Sequence, residues 1–138
     1  MRSSLNILST QAFPLHWLHH LRCLSQTSSY PFYLIFILGP DPTYAKIEDG
    51  QWLNDEVPYG TIHRLASAGD RRGVASEVIA WCLEHCESLR ADTHADNKIM
   101  QHLLEKNGFA RCGIIHVEDG TPRVAYQKLS ATVHMQEE

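Results

Sequence analysis

The chain has 138 residues and a mass of 15.7 kDa, with 43% hydrophobic and 20% charged residues. That combination describes one globular domain with a core of its own and excludes collagen, coiled coil and a long disordered tail. A net charge of −4 and a pI of about 6.1 argue against a nucleic-acid-binding surface.

The charge is unevenly spread. Residues 1–40 contain Arg2 and Arg22 and no Asp or Glu, whereas residues 41–138 contain ten Lys or Arg and sixteen Asp or Glu. The Ser- and His-rich residues 1–31 read as an atypical, peripheral extension to a domain at 32–129, with a polar tail at 130–138. A transit peptide is the alternative. Asn6, Ser9, Thr10 and Gln11 interrupt any secretory signal, and the four cysteines make no CxxC pair. A reducing compartment, the cytoplasm, is therefore expected.

Within the extension, PLHWLHHLRCLS (14–25) spaces Leu15, Leu18 and Leu21 as a helix would. His16, His20 and Cys23 recur on it at i, i+4 and i+7. A fourth ligand is not evident, so an exposed helix or disorder is the simpler reading and no metal site is expected.

Phe32 to Leu38 is a continuous apolar run stopped by Gly39-Pro40. It reads as a buried strand, far short of the ~18 residues of a membrane span. Asp41-Pro42-Thr43 predicts a short helical turn with Asp41 as cap and Pro42 first, and Tyr44, Ile47 and Trp52 as its apolar contacts. Asp49-Gly50 turns the chain. Tyr59 to Ser67 is a second strand. After a polar loop, Val74 to about Cys86 turns helical, with Val78, Trp81 and Cys82 in phase. Leu89 to Thr93 is a short strand. Asp96 is the expected cap of a helix carrying Ile99, Met100, Leu103 and Leu104, closed by Asn107-Gly108. Ala110 to Glu118 and Arg123 to Leu129 form a hairpin around Asp119-Gly120. The fold class is α/β, a mixed central sheet flanked by helices and ending in a β-hairpin.

The loop between the second strand and its helix carries the clearest chemistry. In Gly69-Asp70-Arg71-Arg72-Gly73-Val74-Ala75-Ser76, a helix begun at glycine offers its first amides to an anion, and two arginines stand beside them. Ala75 and Ser76 are small enough for a diphosphate to approach the backbone. The spacing is neither a Walker A loop nor GxGxxG. A plain turn is the bland alternative.

Three stretches together resemble the GNAT acetyltransferase superfamily, over about 70% of the chain. YGTIHRLAS leading into DRRGVAS is similar to that family's fourth strand and pyrophosphate loop. RADTHADNKIMQHLLEKNGF is similar to its fifth strand and following helix, and GIIHVEDGTPRVAYQKL to its closing hairpin. GPDPTY and GQWLND are familiar from a subgroup of small bacterial members. The resemblance implies acetyl-CoA as the acetyl donor. Its pyrophosphate would lie on Arg71, Arg72, Gly73, Val74, Ala75 and Ser76. Its pantetheine arm would lie between splayed fourth and fifth strands, against the backbone of Leu65 and Ser67, with Asn97 touching the arm. The expected partners are acetyl-CoA, an amine acceptor (small molecule or peptide) and a second copy in a homodimer, with no nucleic acid and no membrane. The chain departs from the family pattern at Asp70, where Gln or Arg is usual, and at Leu104, where a general-acid Tyr is common.

Amine acetylation needs a base. His63, Asp92, His94 and Asp96 fall on or just after the strands that would line the cleft. His94 is the first choice, with a surface loop histidine as the alternative. His63 reads equally as a hydrogen-bonding strand residue, and Asp96 as a cap. Cys82, His85 and Cys86 share a helix face as a conceivable thiol site, although core packing is the simpler account. A complete family member also carries a strand, helices and a second strand before the apolar strand. The 31 residues here do not show that pattern, so those elements are expected to be missing or replaced. A noncatalytic CoA-binding or interaction remnant is the rival to an N-acetyltransferase, and a metal-binding regulatory module is a third reading.

Overall fold

The computed structural model describes residues 5–7, 21–26, 32–67 and 74–131. Among the described residues seven strands form one sheet: β1 (Leu5–Ile7), β2 (Leu21–Gln26), β3 (Phe32–Leu38), β4 (Tyr59–Ser67), β5 (Ser88–Thr93), β6 (Ala110–His116) and β7 (Pro122–Leu129). Their order is β1-β2-β3-β4-β5-β7-β6. Every neighbouring pair is antiparallel except β4 and β5, which are parallel. A parallel pair needs a crossover, supplied here through α1 (Val74–Leu83); α2 (Lys98–Lys106) follows β5.

Two apolar clusters cover the sheet. Phe36, Ile62, Leu89, Ala91, Val124 and Tyr126 point to the face covered by Val78, Ile79 and Cys82 of α1 and Leu104 of α2. On the other face, Tyr44 and Trp52 pack with Cys112, Ile115 and Ala125. The second cover comes from the segment between β3 and β4. It starts at a 3-10 turn, Pro42–Tyr44, whose cap Asp41 accepts from the Thr43 amide, as the sequence predicts. The segment then docks on the β6 edge, where Glu48 and Ile114 exchange both backbone hydrogen bonds at 2.8 Å. Gly50 is required there because a Cβ would sit 1.9 Å from the Cys112 carbonyl oxygen.

Several expectations need correction. Leu21–Gln26 is a strand paired to β3, where the leucine spacing predicts a helix over 14–25. Pairing with the apolar β3 edge overrides local propensity. Cys23 therefore stands on β2, and its proposed partners His16 and His20 lie outside the described residues. The first helix ends at Leu83, short of Cys86, because its last turn tightens through a His85 amide bond to the Cys82 carbonyl. The cap of α2 is Asn97, which accepts from the Met100 amide at 3.0 Å, one residue beyond the expected Asp96. β6 ends at His116 rather than Glu118. Gly108 closes α2 at φ +89, the left-handed conformation expected of it.

Candidate active site

The pairing of β4 with β5 stops at Ile62 opposite Ala91, yet β4 runs on to Ser67 and β5 to Thr93. The two strands therefore part, and the β5-facing edge of β4 beyond Ile62 has no strand against it. The parting coincides with a bulge. Ile35 pairs with Arg64 and Phe36 with Ile62, so the β3 ladder skips His63. A bulge re-aims the side chain of its extra residue, here at the vertex of the opening.

Carboxylates, tyrosines and one imidazole converge at this vertex. The His63 Nε2 lies 3.1 Å from Asp41 Oδ2, with the imidazole 30% exposed. Burial pushes the Asp41 carboxyl up, but hydrogen bonds from His63 and Thr43 outweigh it and hold the carboxyl at about 2. The Thr43 amide and hydroxyl both donate to Asp41 Oδ1, at 2.9 and 2.7 Å. The Asp41 amide donates to the Tyr59 hydroxyl at 2.8 Å. Beside this group the Tyr44 hydroxyl donates to Asp92 Oδ1 at 2.6 Å. Burial, and then the neighbouring Asp92 charge, pushes the Tyr44 hydroxyl well above the ordinary tyrosine value, so it stays protonated as a donor. Asp92 is the first β5 residue past the last β4 pair.

A buried cation supports these residues from below. Arg90 is 1% exposed, and its guanidinium lies 3.9 Å from both the Trp52 and Tyr59 ring centroids. Its Nη2 donates to Asp55 Oδ1 at 2.8 Å and to the Asn54 carbonyl at 3.2 Å. Gln127 clamps the same loop, accepting from the Leu53 amide at 2.7 Å and donating to the Asn54 carbonyl at 2.9 Å and to Ser88 Oγ at 2.7 Å.

The structure sorts the other expected site residues. His94 follows β5 and is 49% exposed, with Nδ1 3.2 Å from the Asp96 amide and 3.5 Å from the Asp96 carboxylate. Asp96 is itself almost fully exposed. Leu65 and Ser67 lie on the stretch of β4 beyond the parting, and Val74, Ala75 and Ser76 open α1. The Ser76 hydroxyl donates to Asn107 Oδ1 at 2.6 Å. Arg71, Arg72 and Gly73 lie outside the described residues. Burial pushes the Cys82 thiol up to about 12 and the Cys86 thiol to about 11, which suits packing and removes thiolate chemistry. Leu104 is 2% exposed in the core. Among the described residues no cluster of His, Cys, Asp or Glu is arranged to hold a metal, and no helix is long and apolar enough to cross a membrane. Asp41, Tyr44, Tyr59 and Arg90 escape the sequence reading as site residues. The signal available for Asp41 and Tyr44 was their place beside the short turn, which reads as purely structural.

A mixed sheet opened between two parallel strands, with a helix entered from the first, defines an α/β domain of the acetyltransferase type. The fold matches solved structures with that architecture. A GNAT-family acetyltransferase from Streptococcus agalactiae is 32% identical with a TM-score of 0.70, over 82% of this chain and 66% of that one. A GNAT-family acetyltransferase from Listeria monocytogenes is 15% identical with a TM-score of 0.57, over 82% and 66%. Aminoglycoside acetyltransferase AAC(6')-Ib in complex with coenzyme A is 17% identical with a TM-score of 0.58, over 86% and 72%. The last two show the fold alone. No family model matches the chain, and no curated protein matches it. The chain belongs to the GNAT acetyltransferase superfamily. It spans about two thirds of the length of the Streptococcus and Listeria proteins.

Proposed function

We propose that the chain transfers an acetyl group from acetyl-CoA to an amine by direct attack, without a covalent enzyme intermediate. The observation that carries this reading is the parting of β4 from β5 at Ile62 and Ala91. A strand edge left open beside a gap accepts an extended, amide-bearing chain as an added strand, and the pantetheine arm is such a chain. Leu65 and Ser67 supply that edge. The amides of Arg72 to Ser76, with the Arg71 and Arg72 charges, would take the pyrophosphate. The Ser76 hydroxyl is engaged with Asn107, so its contribution falls to its backbone amide. Asn97 would reach the arm from the start of α2. The acceptor amine enters where carboxylates and an imidazole gather, an environment suited to a cation. His63, at the vertex, and His94, just after β5, are the candidate bases to deprotonate it.

Gly73→Asp puts a side chain and a negative charge where phosphate belongs. Calorimetry is expected to show CoA binding lost while circular dichroism stays that of the folded protein. Undiminished affinity removes the cradle.

One observation favours the noncatalytic alternative. Leu104 stands where the family commonly has its general-acid tyrosine. A general acid typically contributes ~10²–10⁴-fold, so its replacement predicts slow turnover, with water or the acceptor's own proton neutralising the thiolate. CoA binding without turnover on any amine would identify the noncatalytic protein.

A further inference from the structure

We infer that Asp41 and His63 act as a dyad, with His63 taking the proton from the acceptor's ammonium and Asp41 positioning the imidazole. The inference rests on the transferase reading above and chooses between its two histidines.

Three observations separate His63 from His94. The first is place. The bulge puts His63 at the point where β4 leaves β5, while His94 lies beyond the end of β5 on an exposed turn. The second is orientation. Asp41 approaches Nε2, so a neutral ring carries its hydrogen there and leaves the Nδ1 lone pair as the proton acceptor. The His94 Nδ1 instead faces the Asp96 amide. The third is preorganisation. Asp41 is fixed by the Thr43 amide and hydroxyl and, through its own amide, by Tyr59. The Tyr59 ring is stacked in turn on buried Arg90. A carboxylate held this way before substrate arrives orients the imidazole without reorganisation during reaction. The groups around the dyad are Asp41 from the β3–β4 segment, Tyr44 from its turn, Tyr59 from β4, and Arg90 and Asp92 from β5.

The chemistry balances. The ammonium gives one proton to His63 Nδ1. The freed amine lone pair attacks the thioester carbonyl carbon, the C–N bond forms and the C–S bond breaks. The second proton lost from nitrogen ends on the departing CoA thiolate, and His63 returns its proton to solvent. The products are the acetamide and CoA. Asp92, anchored by the Tyr44 hydroxyl, lies beside this path.

The test is steady-state acetyl transfer to benzylamine, putrescine and a tripeptide with a free N-terminus, across pH, for wild type, His63→Gln, Asp41→Asn and His94→Ala. Circular dichroism and calorimetric CoA binding accompany each variant. Wild type is expected to show an acidic limb in kcat/KM for the amine. His63→Gln should abolish that limb and lower kcat/KM by about 10²-fold or more, with KM for acetyl-CoA unmoved. Asp41→Asn keeps an oxygen to accept from the Thr43 amide, so the turn survives. It should give a smaller loss, confined to kcat for the amine, with CoA affinity and KM for acetyl-CoA unmoved. That split is a readout a merely structural role of Asp41 would not produce. A limb that persists in His63→Gln and vanishes in His94→Ala overturns the dyad and leaves the transferase reading standing. No transfer to any of the three amines by wild type that binds CoA overturns the transferase reading, and the dyad with it.

Discussion

At the scale of single residues, the vertex of the opening is built from charges that would be costly if left alone. Arg90 is buried between two aromatic rings and reaches a carboxylate and a carbonyl with the same nitrogen. Stacking suits the planar, weakly hydrated guanidinium in a way that a lysine ammonium could not reproduce. It also fixes Tyr59, and through it the backbone of Asp41. Asp41 links this architecture to pH. Its carboxyl titrates at about 2 in the fold against 3.8 for an ordinary aspartate. A depressed carboxyl adds stability that is fully present above the unfolded value and is lost as pH falls through the folded one. The gap is worth on the order of 2 kcal/mol. Urea denaturation at pH 7, 4 and 2.5 should therefore show wild type more stable than Asp41→Asn at the first pH, with the difference shrinking between the last two. A difference that stays constant down to pH 2.5 would mean that Asp41 contributes no such linkage.

At the scale of elements, α2 raises a question that one residue answers. Asn97 is expected from the family resemblance to touch the cofactor arm, and the structure uses its side-chain oxygen as the helix cap. The two roles use different atoms, because the amide nitrogen is not needed for capping. Asn97→Asp keeps a capping oxygen and replaces the donor with a charge, so thermal stability should hold to within about 0.5 kcal/mol. Calorimetry should then show weaker CoA binding. Unchanged affinity would confine Asn97 to capping. The same helix shows what the sequence made legible. The Asn107-Gly108 stop, the Asp41 cap, Phe32–Leu38 and Tyr59–Ser67 stand where the pattern puts them, since each is decided by local chemistry or by an unbroken apolar run. The cap of α2 was missed by one residue because Asp96 and Asn97 are both good caps and only geometry separates them. Arg90 lies in Leu89 to Thr93, read from the sequence only as a short strand, since nothing local reports that Trp52 and Tyr59 would enclose it. The bulge at His63 is a property of the β3–β4 register and has no signature in YGTIHRLAS.

At the scale of the molecule, the sheet determines which regions open first. β5 and β7 lie between the two apolar clusters, with strands on either side of each. Amides paired in a ladder and covered on both faces exchange only through the largest openings, whereas edge strands exchange through small ones. Hydrogen exchange should be slowest at Leu89 to Ala91 and Val124 to Tyr126, intermediate through β3, the first half of β4 and β6, whose Ile114 amide bonds Glu48, and fastest at the β1 edge. The β2–β3 ladder makes a sharper prediction. Leu21 to Leu24 pair with Leu34 to Ile37, so β3 has a partner on both sides and amides in Leu21–Gln26 should be protected. The sequence alone made that segment peripheral, with fast exchange throughout. Exchange of Leu21–Gln26 at the rate of an unfolded chain, beside a protected β3, would end the sheet at β3 and restore the peripheral reading. A second run with CoA tests the opening in the same molecule. The added strand should slow amides within Arg64–Ser67, beyond the last β5 pair, and leave Tyr59–Ile62 as they were, because those residues already have β5 against them. Slowing spread evenly along β4 would instead report general stabilisation by ligand and would take the pantetheine out of the gap.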